Sequence, residues 1–193
     1  GKYIGDRMEL STADRMMIQV PMFHCFGMVL SMTASMTHGT TMYPLPYFSP
    51  KPALACVHNE HITAFNGVPT MFIAMMEHPD FVKTDFSHIR VGIMAGSNCP
   101  ADLMKKATEV MNMKEIVSVY GQTEASPGCT MSSYYDSLEV NLPENAEDIE
   151  IENPYNDATF DVGGITTEYG SSGEPEELFA SFEESLRHLS NFD

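Results

Sequence analysis

The sequence predicts an α/β fold, a mostly parallel sheet flanked by helices, with an acidic C-terminal appendage. Across residues 14–124, short runs rich in apolar and β-branched residues alternate with longer helical stretches, which is typical of βαβ units. Apolar residues make up 43% of the 193 residues, enough for one substantial core. The predicted strands are residues 16–20, 40–43, 62–65, 91–95 and 116–119.

Helical patterns fill the intervals between these strands. Proline stands first in three of them, at Pro52, Pro69 and Pro100, where its fixed φ and missing N–H are tolerated. The last helix also carries Asp102 near its start and Lys105 later, in the sense that the helix dipole favours. The predicted helices are residues 26–37, 52–60, 69–77 and 100–111.

Charge divides the chain into two parts. Residues 1–133 hold 9 Lys and Arg against 11 Asp and Glu, whereas residues 134–193, the acidic segment, hold 1 against 16. We therefore predict a domain over residues 1–133 and an acidic tail or small subdomain of unrecognised type over residues 134–193. Within the acidic segment, only residues 174–189 show helical periodicity, with their apolar residues on one stripe.

Composition excludes several classes of protein. The most apolar stretch, residues 26–36, is interrupted by hydroxyl side chains and is shorter than the roughly 18 residues of a membrane span. No charged and apolar leader opens the chain, so we expect a cytoplasmic protein that at most associates peripherally with a membrane.

Binding to nucleic acid is disfavoured, because phosphate contacts need the Lys and Arg that the acidic segment lacks. Four widely separated cysteines without metal-site spacing predict reduced thiols: Cys25, Cys56, Cys99 and Cys129.

Loops rich in glycine, proline and polar residues follow four of the predicted strands. We call these the edge loops: residues 21–27, 67–70, 95–97 and 120–125. The carboxyl ends of parallel strands meet at one edge of a sheet, and ligands bind outside that edge. We therefore expect the four edge loops to face one crevice.

The last edge loop carries groups that suit a nucleotide and its metal. Tyr120 can stack on a purine face, and Thr123 can donate a hydrogen bond to a phosphate oxygen where charge builds up. Glu124 offers the hard oxygen that Mg²⁺ prefers. The alternative is an ordinary strand-to-loop turn with a solvated glutamate and a core tyrosine, because short motifs have a high false-positive rate.

Taken in order and spacing, the four edge loops resemble the adenylate-forming superfamily, and within it the AMP-binding domain of fatty-acid acyl-CoA synthetases. The resemblance covers roughly residues 3–133 and extends to His78-Pro79 and Asp85-Phe86-Ser87. It implies a large N-terminal domain that uses ATP, Mg²⁺ and coenzyme A. It also implies a two-step reaction in which a fatty acid or other carboxylic acid attacks the α-phosphate of ATP, and the thiol of coenzyme A then displaces AMP.

The resemblance also implies roles for individual residues, carried by matching positions in the edge loops. The catalytic residues would be His24, Thr123 and Glu124, with Glu124 on the metal. The nucleotide would contact Gly96, Ser97, Tyr120, Gly121, Gln122 and Thr123. Apart from these matches, the small Gly121 would leave room for an acyl chain, and the apolar residues Phe23, Val68 and Met94 would line the acyl pocket.

For two of the edge loops, a purely structural interpretation is the alternative to a functional role. A lone histidine among apolar residues is more often a satisfied core residue, so His24 could be buried. Gly96 and Ser97 precede a helix, and Ser97 or Asn98 could serve only as its cap. The structure decides between these interpretations.

Other parts of the family pattern are absent from this sequence. The phosphate loop that ends in lysine is not present, and residues 37–41 echo it only as a helix-to-strand turn. The downstream aspartate for the ribose, the hinge and the C-terminal lysine are not present either. We therefore expect an internal fragment of a synthetase that is inactive alone, because it lacks cationic groups for the reacting phosphates, with the missing parts in the parent protein.

Two other functions stay open at this point. The charge of the acidic segment would suit a non-enzymatic protein that docks on a basic partner, although such runs are more often solvated faces. Within the same superfamily, an adenylation domain that loads a carrier protein is the nearer alternative.

Overall fold

Six strands form one sheet in the computed structural model, which describes residues 1–133. The strands are β1 Arg15–Ile18, β2 Thr41–Pro44, β3 Ala64–Phe65, β4 Val91–Ala95, β5 Glu115–Gly121 and β6 Gly128–Met131. Their order across the sheet is β2-β1-β3-β4-β5-β6. The first five run parallel, and β6 is antiparallel to β5. The predicted fold class is therefore confirmed.

All five predicted strands are present, with ends that differ from the prediction by at most two residues. β4 matches residues 91–95 at both ends. The sixth strand, β6, was not predicted, because its four residues are mostly exposed and lack an apolar alternation. It returns along β5 at the edge of the sheet, so it covers that side of the last edge loop.

The spatial order of the strands reverses between β1 and β3. From β1 the chain adds β2 on one side, and then returns to place β3 on the other side. In open parallel sheets, ligands bind at the carboxyl ends of the strands where such a reversal occurs. The ends of β1 and β3 therefore mark the expected crevice.

The predicted helices are all present, and the first of them differs in kind. Residues 26–37 were predicted as one α-helix, but Phe26–Thr33 is a π-helical segment, followed by a short α-helix. The α-helices are α1 Lys2–Arg7, α2 Ala34–His38, α3 Pro50–Glu60, α4 Pro69–Met76 and α5 Ala101–Val110. α1 was not predicted. Gly39 ends α2 with a positive φ of 67°, which confirms the expected helix-to-strand turn before β2.

Proline opens these helices less regularly than expected. Pro69 is the first residue of α4, as predicted. However, α3 begins at Pro50, two residues before the predicted start. Pro100 is the N-cap residue of α5 and not its first residue, and its carbonyl accepts from Leu103 and Met104 N–H. The interpretation of Ser97 or Asn98 as the cap of that helix is therefore wrong.

Two apolar clusters pack on opposite faces of the sheet. One cluster lies under α3, α4 and α5 and includes Phe65, Phe72 and Met94. The other includes Ile18, Phe26 and Ile93, and it lies under α1, the π-helical segment and α2. Adjacent strand residues such as Ile93 and Met94 thus enter different clusters, as the alternation of side chains along a strand requires.

An ionic network closes the amino edge of the sheet, opposite the edge loops. Arg90, just before β4, donates to both carboxylate oxygens of Asp14 at 3.0 and 2.8 Å and to Glu115 Oε2 at 2.6 Å. Thr63 Oγ1 also donates to Asp14 Oδ1, at 2.7 Å. Burial alone would raise the pKa of Asp14, but the hydrogen bonds from Arg90 and Thr63 and the charge of Arg90 together hold it below its usual value. The network therefore joins the segments that begin β1, β3, β4 and β5.

All four cysteines are free in the structure, as predicted. Cys129 is exposed, Cys25 and Cys56 are partly buried, and Cys99 is buried. Burial raises the pKa of the Cys56 thiol to about 11, with a further contribution from the negative charge of Glu60 and an opposing one from Arg15. Burial also raises the pKa of the Cys99 thiol.

The rates at which iodoacetamide alkylates the cysteines of the native chain should decrease with their burial. Because burial raises the pKa of Cys56 to about 11, on the order of one thiol in a thousand is ionised at pH 8, and the thiolate is the reactive form. We expect iodoacetamide to modify Cys56 at least roughly tenfold more slowly than the exposed Cys129, measured by peptide mass spectrometry. In urea, which removes the burial, the rates should become similar. Equal rates in the native chain would contradict the burial described for Cys56.

Within residues 1–133, every helix is too short or too polar to cross a lipid bilayer. The predicted helix over residues 174–189 lies outside the described residues. The division of the chain at residue 133 stays a prediction.

Candidate functional site

The four edge loops lie together at the carboxyl edge of the parallel strands. Cys25 Sγ, after β1, lies 3.6 Å from Thr123 Oγ1, after β5. A Cβ atom built on Gly96, after β4, would lie 3.0 Å from Val68 Cγ1 and 4.0 Å from Phe26 Cδ1. Each edge loop thus approaches at least one other, and the expectation of a shared edge is confirmed.

His24 is exposed, and its ring is fixed by the start of the π-helical segment. The Phe26 backbone N–H donates to His24 Nδ1 at 3.1 Å, so the neutral ring carries its hydrogen on Nε2. The His24 N–H donates to the Pro21 carbonyl at 3.1 Å, and its own carbonyl accepts from Met28 N–H at 2.9 Å. The alternative of a buried core histidine is therefore wrong. The free Nε2–H can donate to a ligand oxygen.

The last edge loop presents an open aromatic ring and a carboxylate. Tyr120 is 69% exposed, so the alternative of a core tyrosine is wrong. Gln122 is exposed, and its carbonyl accepts from Ala125 N–H at 3.0 Å. This bond closes a 3-10 turn that holds the side chains of Thr123 and Glu124 exposed. The turn therefore places a ring, a hydroxyl and a carboxylate at one edge.

Gly96 allows the loop after β4 to lie close to the loop after β3. Its φ of +87° is in the region that glycine adopts without strain. The 3.0 Å approach to Val68 leaves little room for a side chain at this position. Ser97 follows and is exposed. The backbone at Gly96 and Ser97 is thus open to a flat ligand, as the prediction requires.

The residues predicted to line an acyl pocket do not all meet. Phe23 is 93% exposed at the edge, and Val68 is partly buried there. Met94 is fully buried among the side chains under α3, α4 and α5, whereas Val68 packs with the opposite cluster. The space beside Gly121 is already taken by the Pro127 carbonyl. The acyl-lining roles stay predictions: Phe23, Val68 and Gly121 lie at the edge, but Met94 does not.

Comparison with known proteins identifies the family. The sequence model of the family described as AMP-binding enzyme matches residues 2–165. The chain belongs to this family. YngI of Bacillus subtilis, which carries the name of an acyl-CoA synthetase, is 50% identical over 135 residues, covering 70% of this chain and 25% of YngI.

A mammalian protein is also similar to this AMP-binding chain. The mouse medium-chain acyl-CoA ligase ACSF2, named as mitochondrial, is 40% identical over 141 residues, covering 70% of this chain and 23% of ACSF2. The chain thus spans about a quarter of the length of these relatives.

Solved structures agree with the AMP-binding assignment at the level of fold. The N-terminal domain of FACL13 from Mycobacterium tuberculosis superposes with a TM-score of 0.62 at 24% identity. The match covers 72% of this chain and 36% of that domain. The matched part of the chain therefore has the fold of about a third of that N-terminal domain.

The AMP-binding chain offers Glu124 as a ligand for a metal ion. Among the residues that the structure describes, no three His, Cys, Asp or Glu side chains are grouped as a metal site. Mg²⁺ bound to nucleotide phosphates usually takes only one or two carboxylate ligands from the protein. It completes its coordination shell with phosphate oxygens and water. The exposed Glu124 carboxylate fits that requirement.

Two buried amides at the edge of the AMP-binding fold were not identified from the sequence. Gln19 follows β1 and Asn66 follows β3, at 1% and 0% exposure. Gln19 Nε2 donates to the Asn66 carbonyl at 3.1 Å, while Gln19 Oε1 has no hydrogen-bond donor within the described part of the chain. Gln19 lies within a predicted strand. The signal in the sequence was an amide side chain inside an otherwise apolar run, because buried amides are uncommon.

Proposed function

We propose that the chain supplies the nucleotide- and carboxylate-binding edge of an ATP-dependent acid–CoA ligase that activates a fatty acid or another carboxylic acid. In the first step the acid attacks the α-phosphate and releases pyrophosphate, and in the second the thiol of coenzyme A displaces AMP. The observation that carries the proposal is the 3.6 Å approach of the His24-Cys25 turn to Thr123. His24 Nδ1 lies 3.7 Å from the same Cys25 Sγ, which supports a role for the imidazole near the loop that carries Tyr120, Thr123 and Glu124.

The chemistry of each group supports its part in this proposal. The exposed Tyr120 ring stacks on the adenine, and the Thr123 hydroxyl donates to a phosphate oxygen on which charge develops. Glu124 binds the Mg²⁺ that accompanies the phosphates. His24 donates from Nε2 to the acyl carboxylate and orients it. Gly96 and Ser97 allow the nucleotide to approach the backbone closely.

Coenzyme A is proposed as the acyl acceptor in preference to a carrier protein. The mouse relative is named as an acyl-CoA ligase, which favours a free thiol substrate. The cytoplasm stays the proposed location, although that relative is named as mitochondrial. Docking of the acidic segment on a basic partner is a separate prediction, and it lies outside the described residues.

Replacing Tyr120 with alanine should weaken nucleotide binding specifically. Stacking of a base on an aromatic side chain contributes about 1–3 kcal/mol, so the dissociation constant for Mg-ATP should rise by a factor of about 5 to 150. Ligand-observed NMR is suited to the measurement because it detects weak binding. Thermal unfolding should change little, since the ring is 69% exposed.

Tyr3 provides the matched control for this experiment. Its ring is 84% exposed, and it belongs to α1 instead of an edge loop. The Tyr3→Ala variant should keep the affinity of the parent chain. Equal losses in both variants, or unchanged affinity in Tyr120→Ala, would refute the assignment of the adenine to this ring.

A further inference from the structure

A buried amide joins the parts of the fold that carry the edge loops. Asn66 directly follows β3 and is fully buried. Its Oδ1 accepts from the Ile93 N–H in β4 at 3.0 Å. Its Nδ2 donates to the Leu30 carbonyl at 3.1 Å and to Ser31 Oγ at 3.0 Å. One side chain therefore connects two strands to the π-helical segment.

The π-helical segment has an unusual register that needs support. π-Helical turns are rare and occur mostly at functional sites. Inside the segment, the Ser31 hydroxyl donates to the Phe26 carbonyl at 3.4 Å, and the Thr33 hydroxyl donates to the Met28 carbonyl at 2.8 Å. Both bonds reach back five residues, which matches the wide turn. Asn66 contacts the same segment from the sheet, so it stabilises this register from outside.

The position of this segment determines the position of the His24-Cys25 turn. The His24 carbonyl accepts from Met28 N–H, so the turn is hydrogen-bonded to the first helical residues. A side chain at Gly27 would collide with the Pro21 carbonyl, so the preceding loop lies directly against the segment. Any rotation of the segment would therefore move His24 and Cys25 relative to Thr123.

We propose that Asn66 is a positioning residue that holds the His24-Cys25 turn opposite Thr123. Without its side chain, the Ile93 N–H and the Leu30 carbonyl would lose a buried partner, and such groups are costly to leave unpaired. The segment would then be free to adopt an α-helical register, which turns the residues at its start. The inference rests on the proposed function only in that these two loops would hold the carboxylate and the nucleotide.

The juxtaposition can be measured without any ligand, by disulfide trapping. A thiol introduced at position 123 would take the place of an oxygen that lies 3.6 Å from Cys25 Sγ, within side-chain adjustment of a disulfide bond. The experiment uses the full chain with Thr123→Cys and Cys129→Ser, equilibrated in a glutathione redox buffer. Oxidised glutathione accepts the two electrons, and peptide mass spectrometry measures the cross-linked fraction as an effective concentration.

Asn66→Ala in this background should lower the effective concentration of the two thiols about tenfold or more. Met75→Ala is the matched control: Met75 is fully buried in α4, so its loss destabilises the core without touching the Asn66 hydrogen bonds, and the effective concentration should stay within about twofold. If Asn66→Ala does not fold, Ser31→Ala decides, with an expected loss of about threefold.

Three outcomes would overturn the positioning role. One is a folded Asn66 variant that cross-links as well as its parent. Another is an equal loss in Met75→Ala, which would trace the effect to general destabilisation. The third is a parent chain that fails to cross-link at all, because the two loops would then not be adjacent. If only nucleotide binding failed, the cross-linked fractions of the parent chain, Asn66→Ala and Met75→Ala would be unchanged. The positioning role of Asn66 and the proposed function can therefore be refuted separately.

Discussion

Replacing Arg90 with methionine is expected to lower the free energy of unfolding by about 3 kcal/mol. Methionine keeps an aliphatic side chain but removes five hydrogen bonds, to Asp14, Glu115 and the backbone carbonyls of Met8 and Glu9. Asp14, at 4% exposure, would be left as a buried carboxylate without its cation. Urea denaturation followed by circular dichroism at pH 7 measures the loss.

Arg15→Met is the matched control for this experiment. Arg15 also pairs with a carboxylate, Glu60, but at 3.4 Å and with 38% and 46% of the two side chains exposed. Exposed ion pairs contribute roughly 0–1 kcal/mol, so this variant should lose much less. Similar losses in the two variants would mean that burial of Asp14 does not determine the cost.

The acid dependence of the Arg90 variant tests the same network. The pKa of Asp14 is held below 3.8 in the folded chain, so its stabilising contribution is present above the pKa of the unfolded state and is lost as the pH falls through the folded value. In the variant, burial acts on Asp14 without the cation, and the carboxylate takes up its proton at a higher pH. The difference in stability between parent and variant should therefore be largest near neutral pH and shrink below about pH 4.

The parallel strands could be predicted because their ends are marked locally. β4 is an unbroken apolar run that lies between a charged residue, Arg90, and Gly96, and both of its ends agree with the prediction. The order of the strands is not encoded in this way. The partners of Arg90 lie as far as 82 residues along the chain, at Met8, and no local pattern specifies such a pair.

The candidate site was predictable where polar or aromatic side chains lie at the end of a strand or just after it. Tyr120 and Thr123 follow an apolar alternation, so their place at the carboxyl edge was inferred from a pattern of period two. Met94 shows the limit of this reasoning: all five residues of β4 are buried, and a run that is apolar on both faces does not reveal which face a side chain joins. Asn66 is a second example, since its role depends on contacts with Leu30 and Ile93 that only the folded chain brings together.

Gly121 was predicted to leave room for an acyl chain, but the structure indicates a different reason for a glycine at this position. The antiparallel return of β6 brings the Pro127 carbonyl into the space that a Cβ atom at Gly121 would occupy. The pairing register also shifts between Tyr120 and Gly121. The glycine therefore permits the tight hairpin that presents Thr123 and Glu124.

Gly121→Ala should accordingly affect both stability and nucleotide binding. Overpacking of this kind typically costs about 1–3 kcal/mol, and the 3-10 turn would be displaced together with the hairpin. We expect the dissociation constant for Mg-ATP to rise at least about tenfold, which corresponds to roughly 1.4 kcal/mol. Urea denaturation and ligand-observed NMR on the same samples measure the two effects.

The hairpin contains its own control in Gly128. A Cβ atom there would lie 3.5 Å from Val119 Cγ1 and 3.8 Å from Ile4 Cδ1, which are ordinary contact distances. Gly128→Ala should therefore change stability by less than about 1 kcal/mol and leave nucleotide affinity as it is in the parent chain. If Gly121→Ala behaved in the same way, the hairpin would have room beside Gly121. That space would then be available to an acyl chain, as the sequence alone had indicated.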